Sequence, residues 1–185
     1  MKVQLIALMS ILGTLTACAQ EPDADDPTAL VRAMRADLMV AESFKGGLSR
    51  AADEGHYTAD QLQCFRKLTA SAFTAEIANL LVGNLSADEI EMALDFYRSP
   101  VGRKYVDVLF LALYESKRFE FNAKPLSSAS SLNPEELSIV EAFAKTGVGK
   151  KLIEDQMVLS AVKVNEGFWK IGAKQLTACG MKIPS

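Results

Sequence analysis

Leu85 to Lys104 reads LSADEIEMALDFYRSPVGRK. Ser86 followed three residues later by Glu89 is the signature of a capping box, in which each residue satisfies the other's backbone N–H. Ile90, Leu94 and Tyr97 then recur at helical spacing. Ser99-Pro100 closes that helix and opens another, because proline breaks a helix interior but is favoured in a first turn. The same grammar returns 47 residues on: Leu132 to Lys151 reads LNPEELSIVEAFAKTGVGKK. Six of twenty positions are identical: Leu85/Leu132, Glu89/Glu136, Phe96/Phe143, Val101/Val148, Gly102/Gly149 and Lys104/Lys151. Arg98/Lys145 and Ser99/Thr146 are conservative pairs. Matched caps, aromatics and glycines argue for a duplicated helical hairpin, spanning residues 85–122 and 132–175. Two copies are too few for a solenoid. They are expected to pack on each other about a pseudo-two-fold axis, as an antiparallel bundle.

The rest of the chain extends this all-α reading to about six helices, since no segment alternates like a strand between hairpin turns. Helix one is expected from Pro27, capped by Asp26, to a break at Gly46-Gly47, with Leu30, Val31, Met34 and Leu38 on its apolar face. Leu48 to Glu54 adds at most a short turn. Helix two runs from Thr58, boxed by Gln61, to Gly83-Asn84. Helix three is Ser86 to Ser99. Helix four continues to about Phe119; Val101, Tyr105, Val108, Leu109 and Ala112 face one side, and Val106, Phe110 and Leu113 make it apolar almost all round. Such a helix is expected to be central and buried. Ala123 to Ser131 reads as a loop. Helix five starts at Asn133 and ends at Thr146-Gly147. Helix six runs from about Val148 to Gln175, with Met157, Ala161, Val164, Phe168 and Ile171 as its core stripe.

Phe96-Tyr97-Arg98-Ser99-Pro100-Val101-Gly102 resembles the hallmark of the bacterial domain of unknown function 2059 family: an acidic helix start, then Phe-Tyr-x-Ser-Pro-x-Gly-x-Lys. The resemblance covers about Leu85 to Leu109. The second copy departs from it, with Ala144 for the tyrosine and Gly147 for the proline. The resemblance implies an all-helical, often exported protein, and supplies no catalytic residues.

Residues 1–17 read as an export signal. Lys2 is a short positive start, and Val3 to Leu15 is uncharged but too short for a comfortable span. Leu15-Thr16-Ala17-Cys18 resembles a lipobox, which makes Cys18 the lipid-bearing first residue of the mature protein. The alternative takes Ala17-Cys18-Ala19 as an ordinary cleavage site that releases a soluble chain from Gln20. Residues 18–27, with Glu21, Asp23, Asp25, Asp26, Pro22 and Pro27, form an acidic tether. A single helical domain, 28–185, follows. Loss of residues 1–17 removes only Lys2 and takes the net charge from −3 to −4.

The chain has three cysteines. With Cys18 lipidated or cleaved away, Cys64 and Cys179 remain as an even pair in an oxidising compartment, and a disulfide between them is expected. His56, Cys64 and Cys179 lack metal-ligand spacing, so no metal or other cofactor is expected. The near-neutral charge argues against nucleic acid as a partner.

Three function classes remain. The first is a non-catalytic envelope module, held to a membrane by lipid on Cys18 and binding a protein or lipid-like ligand in a groove between the repeats. The second is an envelope hydrolase, against which stand the absence of G-x-S-x-G, H-E-x-x-H or a nucleotide-binding glycine loop. The third is a chaperone-like helper, suggested by Met34, Met39, Met92 and Met157 but more simply read as core. One candidate site stands out. Arg98, Arg103 and Lys104 gather at one helix start, and Lys145, Lys150 and Lys151 at the other. Cations oppose the dipole there, and free N–H groups make such a turn suited to an anion. Solvated surface charge is the plainer reading.

Overall fold

The computed structural model describes residues 26–115, 131–155, 158 and 165–182. Its first helix, α1 (Pro27–Ala33), is short and strongly capped: Asp26 Oδ1 accepts from the Thr28 N–H at 2.8 Å, and Pro27 presets the first turn. Leu30 and Val31 are completely buried where α1 packs on α4 (Thr74–Val82) and α5 (Ala87–Arg98). The chain is all-helical, and nine helices rather than six occur among the described residues.

The extra helices come from breaks that propensity does not mark. Helix one divides at Arg35, which adopts φ +53°, the left-handed conformation that non-glycine residues seldom enter. Two contacts offset that strain. The Arg35 guanidinium lies 4.1 Å from the Phe110 ring centre and 3.2 Å from Asp107 Oδ1. Beside them Met39 and Phe110 form a small second core with Leu38 and Leu109. Beyond Arg35, α2 (Ala36–Asp53) runs straight through Gly46-Gly47, against the expected break. Phe44 and Leu48 lie one turn apart on the same buried face, and their burial outweighs about 1 kcal/mol lost per glycine. A Cβ at Gly47 would meet nothing within 4 Å. Gly47→Ala should therefore stabilise the protein by about 0.5–1 kcal/mol. A lower urea midpoint in the variant would contradict a helical Gly47.

Helix two is also divided, into α3 (Ala59–Arg66), a 3-10 turn at Ala70–Phe73, and α4. The reason lies in the core. Phe65 and Phe73 would sit about 12 Å apart along one straight helix. With the break their ring centres are 6.2 Å apart, and both reach Phe44, at 5.9 and 5.5 Å. The Thr58–Gln61 box opens α3 as expected.

α5 and α6 (Pro100–Glu115) meet at Ser99-Pro100, as the sequence indicates. α6 is less buried than its composition suggests. Val106 and Phe110 are buried, Tyr105, Val108 and Leu109 are half-buried, and Ala112 is exposed. Of the methionines, Met34 and Met39 are buried, whereas Met92 is exposed. α7 (Pro134–Ala144) starts at the Asn133–Glu136 box. Helix six is interrupted: α8 (Gly147–Gly149) passes into a single π turn, Lys150–Glu154, and the chain bends at Asp155. α9 (Asn165–Ala178) then returns to the aromatic cluster, with Ile171 and Leu176 buried. Met157, Ala161, Val164 and the Phe168 and Leu113 side chains lie outside the described residues, as does all but Ser131 of the loop expected at 123–131. Cys64 on α3 and Cys179 just past α9 form the expected disulfide, with Cα atoms 5.6 Å apart.

Candidate functional site at the paired helical turns

Two capping boxes begin the construction. Ser86 Oγ accepts from the Glu89 N–H at 3.2 Å, while Glu89 Oε2 accepts from the Ser86 N–H at 2.9 Å. In α7, Asn133 Oδ1 accepts from the Glu136 N–H at 2.9 Å, and Glu136 Oε2 accepts from the Asn133 N–H at 2.8 Å. Asparagine has taken the place of serine with the same bonding.

Each glutamate has a second partner, and it comes from the other of the two turns. Lys104 Nζ donates to Glu136 Oε1 and Oε2 at 2.8 and 2.6 Å. Lys151 Nζ donates to Glu89 Oε1 and Oε2 at 2.7 and 2.9 Å, and to Asn84 O at 3.1 Å. The lysine of each turn thus clasps the box glutamate of the other. Between the clasps, Phe96 and Phe143 stack face to face, centres 3.9 Å apart and planes 6° apart. Tyr97 meets the edge of Phe143 at 5.8 Å. The three rings pack together beside the two clasped turns.

The turns themselves are alike. Ser99 Oγ accepts from the Gly102 N–H and Thr146 Oγ1 from the Gly149 N–H, both at 3.0 Å. The Thr146 hydroxyl also donates to Phe143 O at 2.7 Å. A Cβ on Gly102 would lie 1.9 Å from Phe96 O, and one on Gly149 would lie 1.8 Å from Phe143 O. Each glycine lets a helix start press against the end of the helix before it.

The six cations therefore divide. Lys104 and Lys151 are neutralised within the fold, whereas Arg98, Arg103, Lys145 and Lys150 are exposed. The side-chain caps of Ser99 and Thr146 already occupy one N–H at each turn. Sequence reasoning named the right lysines but not their partners. The signal was available, because each lysine and each box glutamate recur at the same offset.

The lysine hydrogen bond, then the Ser86 N–H, holds the Glu89 carboxyl below the usual range. Lys104, then the Asn133 N–H, does the same for Glu136. Burial, with Tyr105 beside it, pushes the Tyr97 phenol well above its ordinary value, and burial raises Tyr105. Near neutral pH the site thus presents bonded carboxylates and protonated phenols, the components of a clasp. The lowered glutamates mean that the folded protein binds fewer protons near pH 4 than the unfolded chain. Their contribution is complete above the ordinary glutamate value, about 4.3, and is lost as pH falls through it toward the lowered values. Urea midpoints measured from pH 7 down to 3 should fall below about pH 4.5. The fall should be shallower in Glu89→Gln/Glu136→Gln, though Asp26, also lowered by its Thr28 bonds, leaves a remainder. Identical slopes would dismiss the clasp as a pH-dependent contributor.

Elsewhere, His56 is exposed in the bend after α2, 3.4 Å from Glu54 Oε2. Among the described residues, no group of three or more His, Cys, Asp or Glu is placed to hold a metal ion, and no helix is long and apolar enough to cross a membrane.

Fold and site together define an all-helical protein in which two helical turns clasp each other's capping glutamates. Residues 71–109 match the family described as an uncharacterized protein conserved in bacteria, DUF2059. That stretch runs from the 3-10 turn through α4 and α5 into α6, and includes the first clasp turn but not the second. No curated protein and no solved structure matches the chain.

Proposed function

We propose that this is an exported, lipid-anchored protein of the bacterial envelope, and that its helical domain is a non-catalytic module for contact with a protein or lipid-like partner. The observation that carries the anchoring is the cysteine arithmetic. Cys64 and Cys179 pair with each other, which leaves Cys18 as the odd cysteine, directly after Leu15-Thr16-Ala17 at the end of a leader whose single charge is Lys2. A disulfide suits an oxidising compartment. The non-catalytic reading is supported by the use made of the family hallmark: its glutamate, serine, glycine and lysine are all engaged in caps, close packing or cross-hairpin ion pairs. We also read the two hairpins as copies of one unit, because the contacts of each recur in the other at an offset of 47.

The test is the mass of the mature protein from a bacterial host, with its detergent partitioning. A chain beginning at lipid-modified Cys18 and entering the detergent phase is expected, and Cys18→Ala should abolish both. A mature chain beginning at unmodified Gln20 would replace anchoring with soluble export. Crosslinking in the native envelope addresses the module: recovery of no specific partner counts against a contact role.

A further inference from the structure

α9 closes the aromatic cluster from above, and its seat is cut to shape. A Cβ at Gly172 would lie 2.2 Å from Phe44 Cζ, so only glycine lets the helix settle on that ring. Ile171, Leu176, Cys179 and Met181 are buried there. Phe44, Phe65 and Phe73 beneath them are each no more than 1% exposed.

The seat has one flaw. Gln175 is 5% exposed, and its amide N–H bonds Ala72 O, but its Oε1 has no partner among the described residues. A buried acceptor left without a donor forfeits the hydrogen bonds it would make with water, which favours release of the helix. The other polar ties among the described residues are at the rim: Gln61 Nε2 to Gly180 O at 2.6 Å and the Tyr57 hydroxyl to Lys182 O at 3.5 Å, both in exposed positions, and Lys174 Nζ 3.9 Å from Glu76. The covalent tie is the disulfide, and it is asymmetric to solvent, because Cys64 is exposed whereas Cys179 is 8% exposed.

We propose that the Cys64–Cys179 disulfide is a reducible latch, opened by dithiols at Cys64, that decides whether α9 stays over the Phe44–Phe65–Phe73 cluster. The thiolate of a dithiol attacks Cys64 Sγ. A mixed disulfide forms, the Cys64–Cys179 bond breaks, and Cys179 leaves with the electron pair and takes a proton. The second thiol of the reagent then attacks its own sulfur in the mixed disulfide and releases Cys64. The protein gains two electrons and two protons, and the dithiol becomes a cyclic disulfide. The latch does not depend on whether Cys18 carries lipid.

Hydrogen exchange of the full chain, with and without dithiothreitol, tests this. In the oxidised protein, amides of residues 171–178 should be protected like those of α5 and α7. In the reduced protein they should exchange at least about tenfold faster than those of α5 and α7, a local opening rather than global unfolding. Cys64→Ser/Cys179→Ser should match the reduced protein, and reduced wild type gives the same reading if that variant does not fold. Glutathione disulfide added to the reduced protein should cap Cys64 in preference to Cys179. The proposal is overturned if α9 keeps its protection on reduction, if α9, α5 and α7 lose protection together at one rate, or if glutathione caps Cys179 first.

Discussion

Gly102→Ala should destabilise the protein by about 3 kcal/mol or more, at the upper end of overpacking costs. For a chain of this size that lowers Tm by roughly 6–12 °C. The added methyl carbon would lie 1.9 Å from Phe96 O, 2.7 Å from Phe96 C and 2.9 Å from Tyr97 Cα, all backbone atoms that no rotamer change can move aside. α6 would have to lift away from the end of α5, and Lys104, two residues on, would be drawn from Glu136. Gly149→Ala should act alike at the second turn, where the corresponding atoms are Phe143 O and C and Ala144 Cα. Gly47→Ala is the internal control, the same substitution in open space and with the opposite sign. Thermal melts of the three variants decide the matter. A Gly102→Ala protein as stable as wild type would mean that the turn is looser than its contacts imply.

Loss of the disulfide should have an effect of similar or greater size. Cys64 and Cys179 are 115 residues apart in sequence. Releasing a loop of that length returns conformational freedom to the unfolded chain, worth about 4–5 kcal/mol in the chain-entropy model. Native domains are stable by only about 5–15 kcal/mol, so roughly a third of the margin or more is at stake. Urea titration of Cys64→Ser/Cys179→Ser against the oxidised protein should show a midpoint lower by about 2 M, using a typical slope for the size. A shift below about 0.5 M would show that little freedom is regained, because residual structure already restrains the reduced chain.

The two substitutions probe features of unequal legibility. The clasp turns were readable from residue types: Ser86/Glu89, Asn133/Glu136, Ser99, Pro100 and the glycines each do locally what their chemistry favours. The disulfide followed from cysteine parity together with the expected oxidising compartment. Helix boundaries elsewhere were not readable. Arg35 is a good helix former, yet it ends α1 because Asp107 and Phe110, about seventy residues away in sequence, receive its side chain. Gly46-Gly47 is a poor helix former, yet it lies inside α2 because Phe44 and Leu48 are buried on one face. The break between α3 and α4 serves a cluster to which three helical segments contribute. The partners of Lys104 and Lys151 were hidden for the same reason: an isolated lysine in a first turn suggests a free cation until the opposing hairpin supplies a carboxylate.

The sequence by itself determined the helical class, the caps, the hairpin turn and its counterpart 47 residues later, and the cysteine pair. These depend on interactions within a few residues or on simple parity. Tertiary structure alone decided that helix breaks fall at Arg35 and at Lys67–Thr69, that the turn lysines neutralise glutamates, that Phe96 stacks on Phe143, and that Gly172 makes room for Phe44. Those outcomes depend on which surfaces meet. Burying an aromatic ring or pairing a half-buried charge outweighs a preference of about 1 kcal/mol in the local backbone.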